Sequence, residues 1–240
     1  MTYLDRNVSD IKQKMANAAA MAGRDPEEIT LLAAVKSGEV DEIRYLHREL
    51  GIADLGENRV QQFLAHYEAL GDETGIRWHF IGSLQTNKVK YIIDKVCMIH
   101  SLDSLRLAAE IEKQAAKIGR VMDVLVEINS GEEASKGGLM PAEVEDFCAA
   151  LTDFPHIRLR GFMTMAPKCE NSSQYREYFE ETSRRVLDIW QKKLHNIIER
   201  PLLSMGMSDS FEEAIACGST MVRVGRGLFV GREAQSTGKE

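Results

Sequence analysis

The chain has 240 residues and a mass of 26.9 kDa, with 44% hydrophobic and 28% charged residues, ordinary globular usage that excludes a fibrous or wholly disordered protein. A net charge of -7 and a pI near 5.5 argue against a nucleic-acid surface, which shows a basic stripe or a high pI. No apolar run reaches membrane-spanning length, Asp5, Asp10 and Asn17 interrupt any signal-like core, and Cys97, Cys148, Cys169 and Cys217 form no C-x-x-C pair; reduced thiols and a cytoplasmic location are therefore expected.

Leu4, Val8, Ile11, Met15 and Ala18 recur at spacings of three and four and predict a helix to about Met21, stopped by Gly23. Eight strand-then-helix steps follow. The strands are read at Ile29 to Lys36, Ile52 to Leu55, Trp78 to Ile81, Val96 to His100, Val121 to Ile128, Ile157 to Met163, Leu202 to Met205 and Met221 to Val224. Helical patterns run through Ile43 and Leu46, through Val60 and Phe63, through Val89 and Ile92, from Ser104 to Ile118, from Pro141 to Leu151, from about Ser173 to Ile198 and from Phe211 to Cys217, with a short turn closing the eighth step. Strands that are apolar throughout and alternate with helices imply a parallel sheet covered on its outer side. Eight of them in this length favour closure over an open doubly wound sheet. The expected class is α/β, a single (β/α)8 TIM-type barrel with an extra N-terminal helix over residues 1–233, and 234–240 as a disordered tail.

Residues that build neither helix nor strand collect just after the strands: Lys36-Ser37, Gly56-Glu57-Asn58, Gly82 to Lys88, Asn129-Ser130 through Ser135-Lys136-Gly137-Gly138, Met165 to Pro167, Ser204 to Ser210, and Arg223 with Gly225-Arg226-Gly227. In a barrel these share the face where active sites are built, and the last two loops commonly bind phosphate. Glycine admits close backbone approach, while Ser204 and Ser208 offer hydroxyls. Lys36 ends an apolar strand. It either points a desolvated amine into the mouth, ready to condense with an aldehyde, or snorkels to solvent as a plain phosphate contact.

Leu31-Leu32-Ala33-Ala34-Val35-Lys36, Gly56-Glu57-Asn58, Trp78 to Lys88, Arg160-Gly161-Phe162-Met163 and Leu203 to Asp209 together resemble the pyridoxal phosphate homeostasis protein family, over the whole chain. The resemblance implies a barrel related to the N-terminal domain of alanine racemase, binding pyridoxal 5′-phosphate as a Schiff base on Lys36, with no established catalytic reaction and a role in vitamin B6 and amino-acid balance. It further implies Ser204, Gly225 and the backbone of Arg226 as a phosphate cradle, Arg223 facing the pyridine nitrogen, Asn58 and Met205 beside the ring, and Lys136 as a transient second acceptor of the cofactor. Four residues depart from the family pattern: Val35 for serine, Arg59 for tyrosine, Ser83 for proline and Arg226 for threonine.

His79 reads either as an acid or base near the cofactor or as a packed ring ordering the loop. No histidine spacing supports a metal. The competing functions are a pyridoxal-phosphate-dependent amino-acid racemase and a sugar-phosphate barrel enzyme whose Lys36 bonds a sugar. Arg223 disfavours the racemase, as does a chain that stops after strand eight, without the second domain that supplies a second base in alanine racemase. The expected partners are the cofactor and recipient apoenzymes dependent on it, with no nucleic acid and no membrane, on a monomeric protein.

Overall fold

The computed structural model describes residues 2–133, 137–193 and 200–232; Lys136 and the tail at 234–240 lie outside them. Helix α1 (Tyr3–Met21) opens on a capping box, in which Thr2 Oγ1 accepts from the Asp5 amide at 3.2 Å and the Asp5 carboxylate accepts from the Thr2 amide. Its buried stripe is Leu4, Val8, Ile11, Met15 and Ala18, the residues whose spacing predicted it. The strands follow as β1 (Thr30–Ala34), β2 (Asp54–Glu57), β3 (Arg77–Phe80), β4 (Met98–Leu102), β5 (Met122–Ile128), β6 (Ile157–Thr164), β7 (Leu202–Ser204) and β8 (Met221–Val224). They close in sequence order into one parallel barrel, β8 returning to pair with β1. The (β/α)8 barrel with its extra first helix is thus what the sequence led us to expect.

Outside lie α2 (Val40–Arg48), α3 (Val60–Ala69), α4 (Leu105–Lys117), α5 (Val144–Ala150), α6 (Ser172–Lys193) and α7 (Phe211–Ala216). Three local expectations change. The step after β3 is a 3₁₀ turn over Thr86–Tyr91 rather than an α-helix; Pro141 sits in a turn ahead of α5; and β1 ends at Ala34, leaving Lys36 in the loop. No helix among the described residues is long and apolar enough to cross a membrane.

Two apolar clusters follow from strand alternation. The large one lies between sheet and helices and includes Ala33, Leu55, Phe80, Val124, Phe162, Met205 and Val222. The small one, Met98, Leu125 and Met163 with Cys97 and Leu202 against it, fills the barrel interior. That interior is otherwise polar: His79, His100, Glu127, Ser204 and Arg223 are all buried, where a barrel of this type ordinarily stacks branched apolar side chains.

Between β6 and β7 the chains approach closely at Gly161, whose φ is +150°. A Cβ there would stand 2.0 Å from the Leu202 carbonyl oxygen, a backbone atom that cannot swing aside. Gly161→Ala is therefore expected to destabilise the fold by about 3 kcal/mol or more, read as a lowered urea midpoint by circular dichroism.

Candidate functional site

The loops beyond β8, β1 and β2 are adjacent because their strands are. Leu32 pairs with Arg223, Ala34 with Gly56, and the Cβ position at Gly225 is 3.0 Å from the Ala34 carbonyl. Lys36, Asn58, Arg223 and Gly225 therefore come together at the C-terminal mouth. Lys36 is solvent-exposed, so the burial expected around its amine is not built into the protein; any dry surround has to come from what binds there. Its backbone is fixed instead, since Gln62 Nε2, from α3, donates to the Lys36 carbonyl at 2.6 Å.

Asn58 is half-buried, with Oδ1 fully enclosed and without a hydrogen-bond partner. An orphaned buried acceptor signals a donor still to arrive. The β3 loop presses against it: a Cβ on Gly82 would lie 2.2 Å from the Asn58 carbonyl oxygen, so only glycine fits.

Arg223 sits inside the barrel at 4% exposure. Its Nη1 donates to the Ser204 carbonyl (2.6 Å) and hydroxyl (2.8 Å), and its Nη2 to the Thr164 carbonyl (2.9 Å). Of the five N–H donors on a guanidinium, the Nε–H and one Nη2–H remain for a ligand. Burial pulls Arg223 down to about 10, opposed by the Glu127 carboxyl, so it is a cation at neutral pH.

Ser204 and Met205 are both buried. The Ser204 hydroxyl is held by Arg223 and His100. Met205, expected beside the ring, turns its side chain into the outer core at 1% exposure, because it follows an inward-facing serine and alternation sends it outward. Ser208 Oγ accepts from the Gly227 amide at 3.1 Å, joining the β7 loop to the turn Arg226–Leu228 that follows Gly225. The Arg226 side chain turns away to pair with Asp209, leaving only its backbone for an anion. Lys136 lies outside the described residues.

Beneath the mouth runs a chain of hydrogen bonds that sequence reasoning missed except for His79 and Ser204. Arg77 Nε donates to Asp54 Oδ1 (2.7 Å), Asp54 meets His79 Nε2 (2.9 Å), His79 Nδ1 meets His100 Nε2 (2.9 Å), and His100 Nδ1 meets Ser204 Oγ (3.2 Å). Burial pushes the Asp54 carboxyl up, but hydrogen bonds and charges from His79 and Arg77 outweigh it and hold it at about 2. An ionised Asp54 can only accept, so His79 Nε2 carries a proton. Burial first, then the charges of His79 and Arg223, hold His100 far below the usual histidine range, so its ring is neutral. His79 Nδ1 and His100 Nε2 share one proton, and His100 Nδ1 and the Ser204 hydroxyl share another. The serine oxygen also accepts from Arg223. Every group from Asp54 to Arg223 is thereby paired.

This donor set suits a flat anionic ligand with an aldehyde: an exposed amine, a buried guanidinium with donors to spare, an orphaned amide oxygen and a serine-glycine loop. A family description, the N-terminal domain of alanine racemase, matches residues 5–233. The pyridoxal phosphate homeostasis protein of Aquifex aeolicus is 43% identical over 92% of this chain and 95% of its own, and that of Escherichia coli K12 is 36% identical over 97% and 98%. Among solved structures, PipY of Synechococcus elongatus PCC7942 with PLP bound superposes with a TM-score of 0.78 at 28% identity, covering 90% of this chain and 99% of that one. An alanine racemase of Clostridium difficile 630 shares the fold at a TM-score of 0.69 and 19% identity, covering 93% of this chain and 56% of that one.

Because the folded pKa of Asp54 lies below that of the free carboxyl, its stabilisation is complete above about pH 4 and is lost as pH falls toward 2. Asp54→Asn is expected to lie about 2 kcal/mol below the parent at pH 7, with the gap closing between pH 4 and pH 2. Paired urea titrations across that range check it.

Proposed function

Since the chain belongs to the pyridoxal phosphate homeostasis protein family, we propose that it holds pyridoxal 5′-phosphate on the amine of Lys36 and serves to keep and pass on that cofactor within the cell's vitamin B6 and amino-acid balance. When bound, the cofactor supplies an aldehyde carbon that bonds reversibly to amines. Lys36 is the anchor, presented by a loop whose backbone Gln62 holds. Ser208 and the backbone of Gly225 and Arg226 take the phosphate, in a loop whose side-chain positive charge is already spent on Asp209. The orphaned Asn58 Oδ1 faces the ring side.

The observation that favours a carrier over a catalyst is Arg223. Its guanidinium is locked by two carbonyls and a serine that His100 holds from below. Such a group presents donors to the pyridine nitrogen but does not hand over its own proton at neutral pH. The nitrogen then stays unprotonated and the ring draws electrons weakly, which suits storage better than carbanion chemistry. Recipient apoenzymes, a monomeric state and a single unit spanning 1–233 belong to the same reading.

Absorbance before and after borohydride reduction, followed by peptide mapping, tests the assignment. The parent is expected to turn yellow with the cofactor and to carry the reduced label on Lys36, while Lys36→Ala stays colourless. Ser208→Ala is expected to weaken cofactor binding about tenfold without removing the colour. A label on another residue, or sustained racemisation of alanine that Lys36→Ala abolishes, would overturn the proposal.

A further inference from the structure

β5 carries an interior carboxyl that the arrangement around Lys36 leaves unused. Glu127 is 5% exposed, pairs in register with the interior Met163, and has Asp103 and Arg223 as its charged neighbours. A carboxyl so nearly buried gains from a ligand that hydrogen-bonds to it. Burial, reinforced by Asp103 from the loop after β4 and opposed by Arg223 on β8, pushes Glu127 up to about 7.

The space beside it is open for a definite reason. The Cβ that Gly137 lacks would stand 3.8 Å from Asp103 Oδ2, 3.8 Å from Ser83 Oγ and 4.0 Å from Glu127 Oε1. Oxygens from the ends of β3, β4 and β5 thus converge on a spot that a side chain at 137 would fill. Two carboxyls and one hydroxyl are acceptors looking for a small, positively charged group with several N–H donors. A metal ion is the poorer fit, because among the described residues no three His, Cys, Asp or Glu side chains are grouped to hold one.

We infer that Glu127, Asp103 and Ser83 form a subsite for the primary ammonium of an incoming amine that takes the cofactor from Lys36. This rests on the function proposed above. In the exchange the ammonium gives one proton to the Glu127 carboxylate, and its freed lone pair forms a C–N bond to the ligand carbon held by Lys36. The two remaining protons of the amine pass to the Lys36 nitrogen as its C–N bond breaks, and the proton on Glu127 completes the departing ammonium. No electrons are gained or lost overall. Capture requires the ionised carboxylate, so it is lost as pH falls through about 7.

The test uses the full chain loaded with pyridoxal phosphate. Loading is scored first, by colour and borohydride fixation at Lys36; failure there overturns the Lys36 reading, and the subsite with it, before any amine is added. L-Alanine and Nα-acetyl-lysine amide are then supplied in separate arms, and loss of protein-bound cofactor is followed after rapid gel filtration. The parent is expected to transfer at a rate that rises to a plateau just above pH 7. Glu127→Gln is expected to slow transfer at pH 7 at least tenfold and to replace the plateau by a rise that continues toward the amine's own pKa. Asp103→Asn, which removes a like charge, is expected to move the plateau to lower pH. Faster transfer to alanine assigns the subsite to free amino acids, and faster transfer to the lysine amide assigns it to protein side chains. A parental rate and plateau in Glu127→Gln, or an unmoved plateau in Asp103→Asn, would overturn the inference.

Discussion

A guanidinium taken out of water must be met on nearly every side, and the mouth of this barrel is organised around meeting Arg223. Two carbonyls, from β6 and β7, take three of its bonds together with the Ser204 hydroxyl, and Glu127 offsets its charge from across the interior. Each of these needs support in turn. Ser204 is oriented by His100, His100 by His79, and His79 by an aspartate whose own charge is neutralised by Arg77 at 60% side-chain exposure. Removing one member would leave its neighbours buried and unpaired, which is why such networks act as units. The result is a buried cation with a fixed direction.

Much of the architecture was legible because apolar strands and amphipathic helices alternate with little ambiguity. The helix after β3 was misread because Val89 and Ile92 satisfy a helical spacing equally well in a 3₁₀ turn that α4 packs against. Site residues divided by where their neighbours come from. Asn58 and Gly225 stand in contiguous motifs, and both reached the mouth. Ser204 and Met205 were less legible because in a three-residue strand nothing in the sequence sets which side faces in. Asp54, His79 and His100 belong to three strands, and only barrel closure brings them within bonding distance. The signal that remained available was their chemistry: polar residues inside otherwise apolar strands must be paired somewhere.

The site separates two demands that conflict in one place. A lysine that must release its cargo gains from solvent and partners, and Lys36 is exposed. A group that must hold an electronic state gains from dryness and rigid neighbours, and Arg223 is buried. Strand β1 next to strand β8 brings the two to one mouth while leaving them in different surroundings.

Asn7, on the first helix, donates to the carbonyls of Leu228 and Val230 at 2.8 and 2.9 Å, tying the earliest helix to the turn beside Gly225. During synthesis that helix waits for partners more than 200 residues away, and β1 likewise waits for β8. The anion loop is therefore among the last features to form, after every other strand has emerged. A ligand that needs this loop can stabilise only chains that have closed the circle, so occupancy reports completed folding, and nascent or broken chains are not rescued by it.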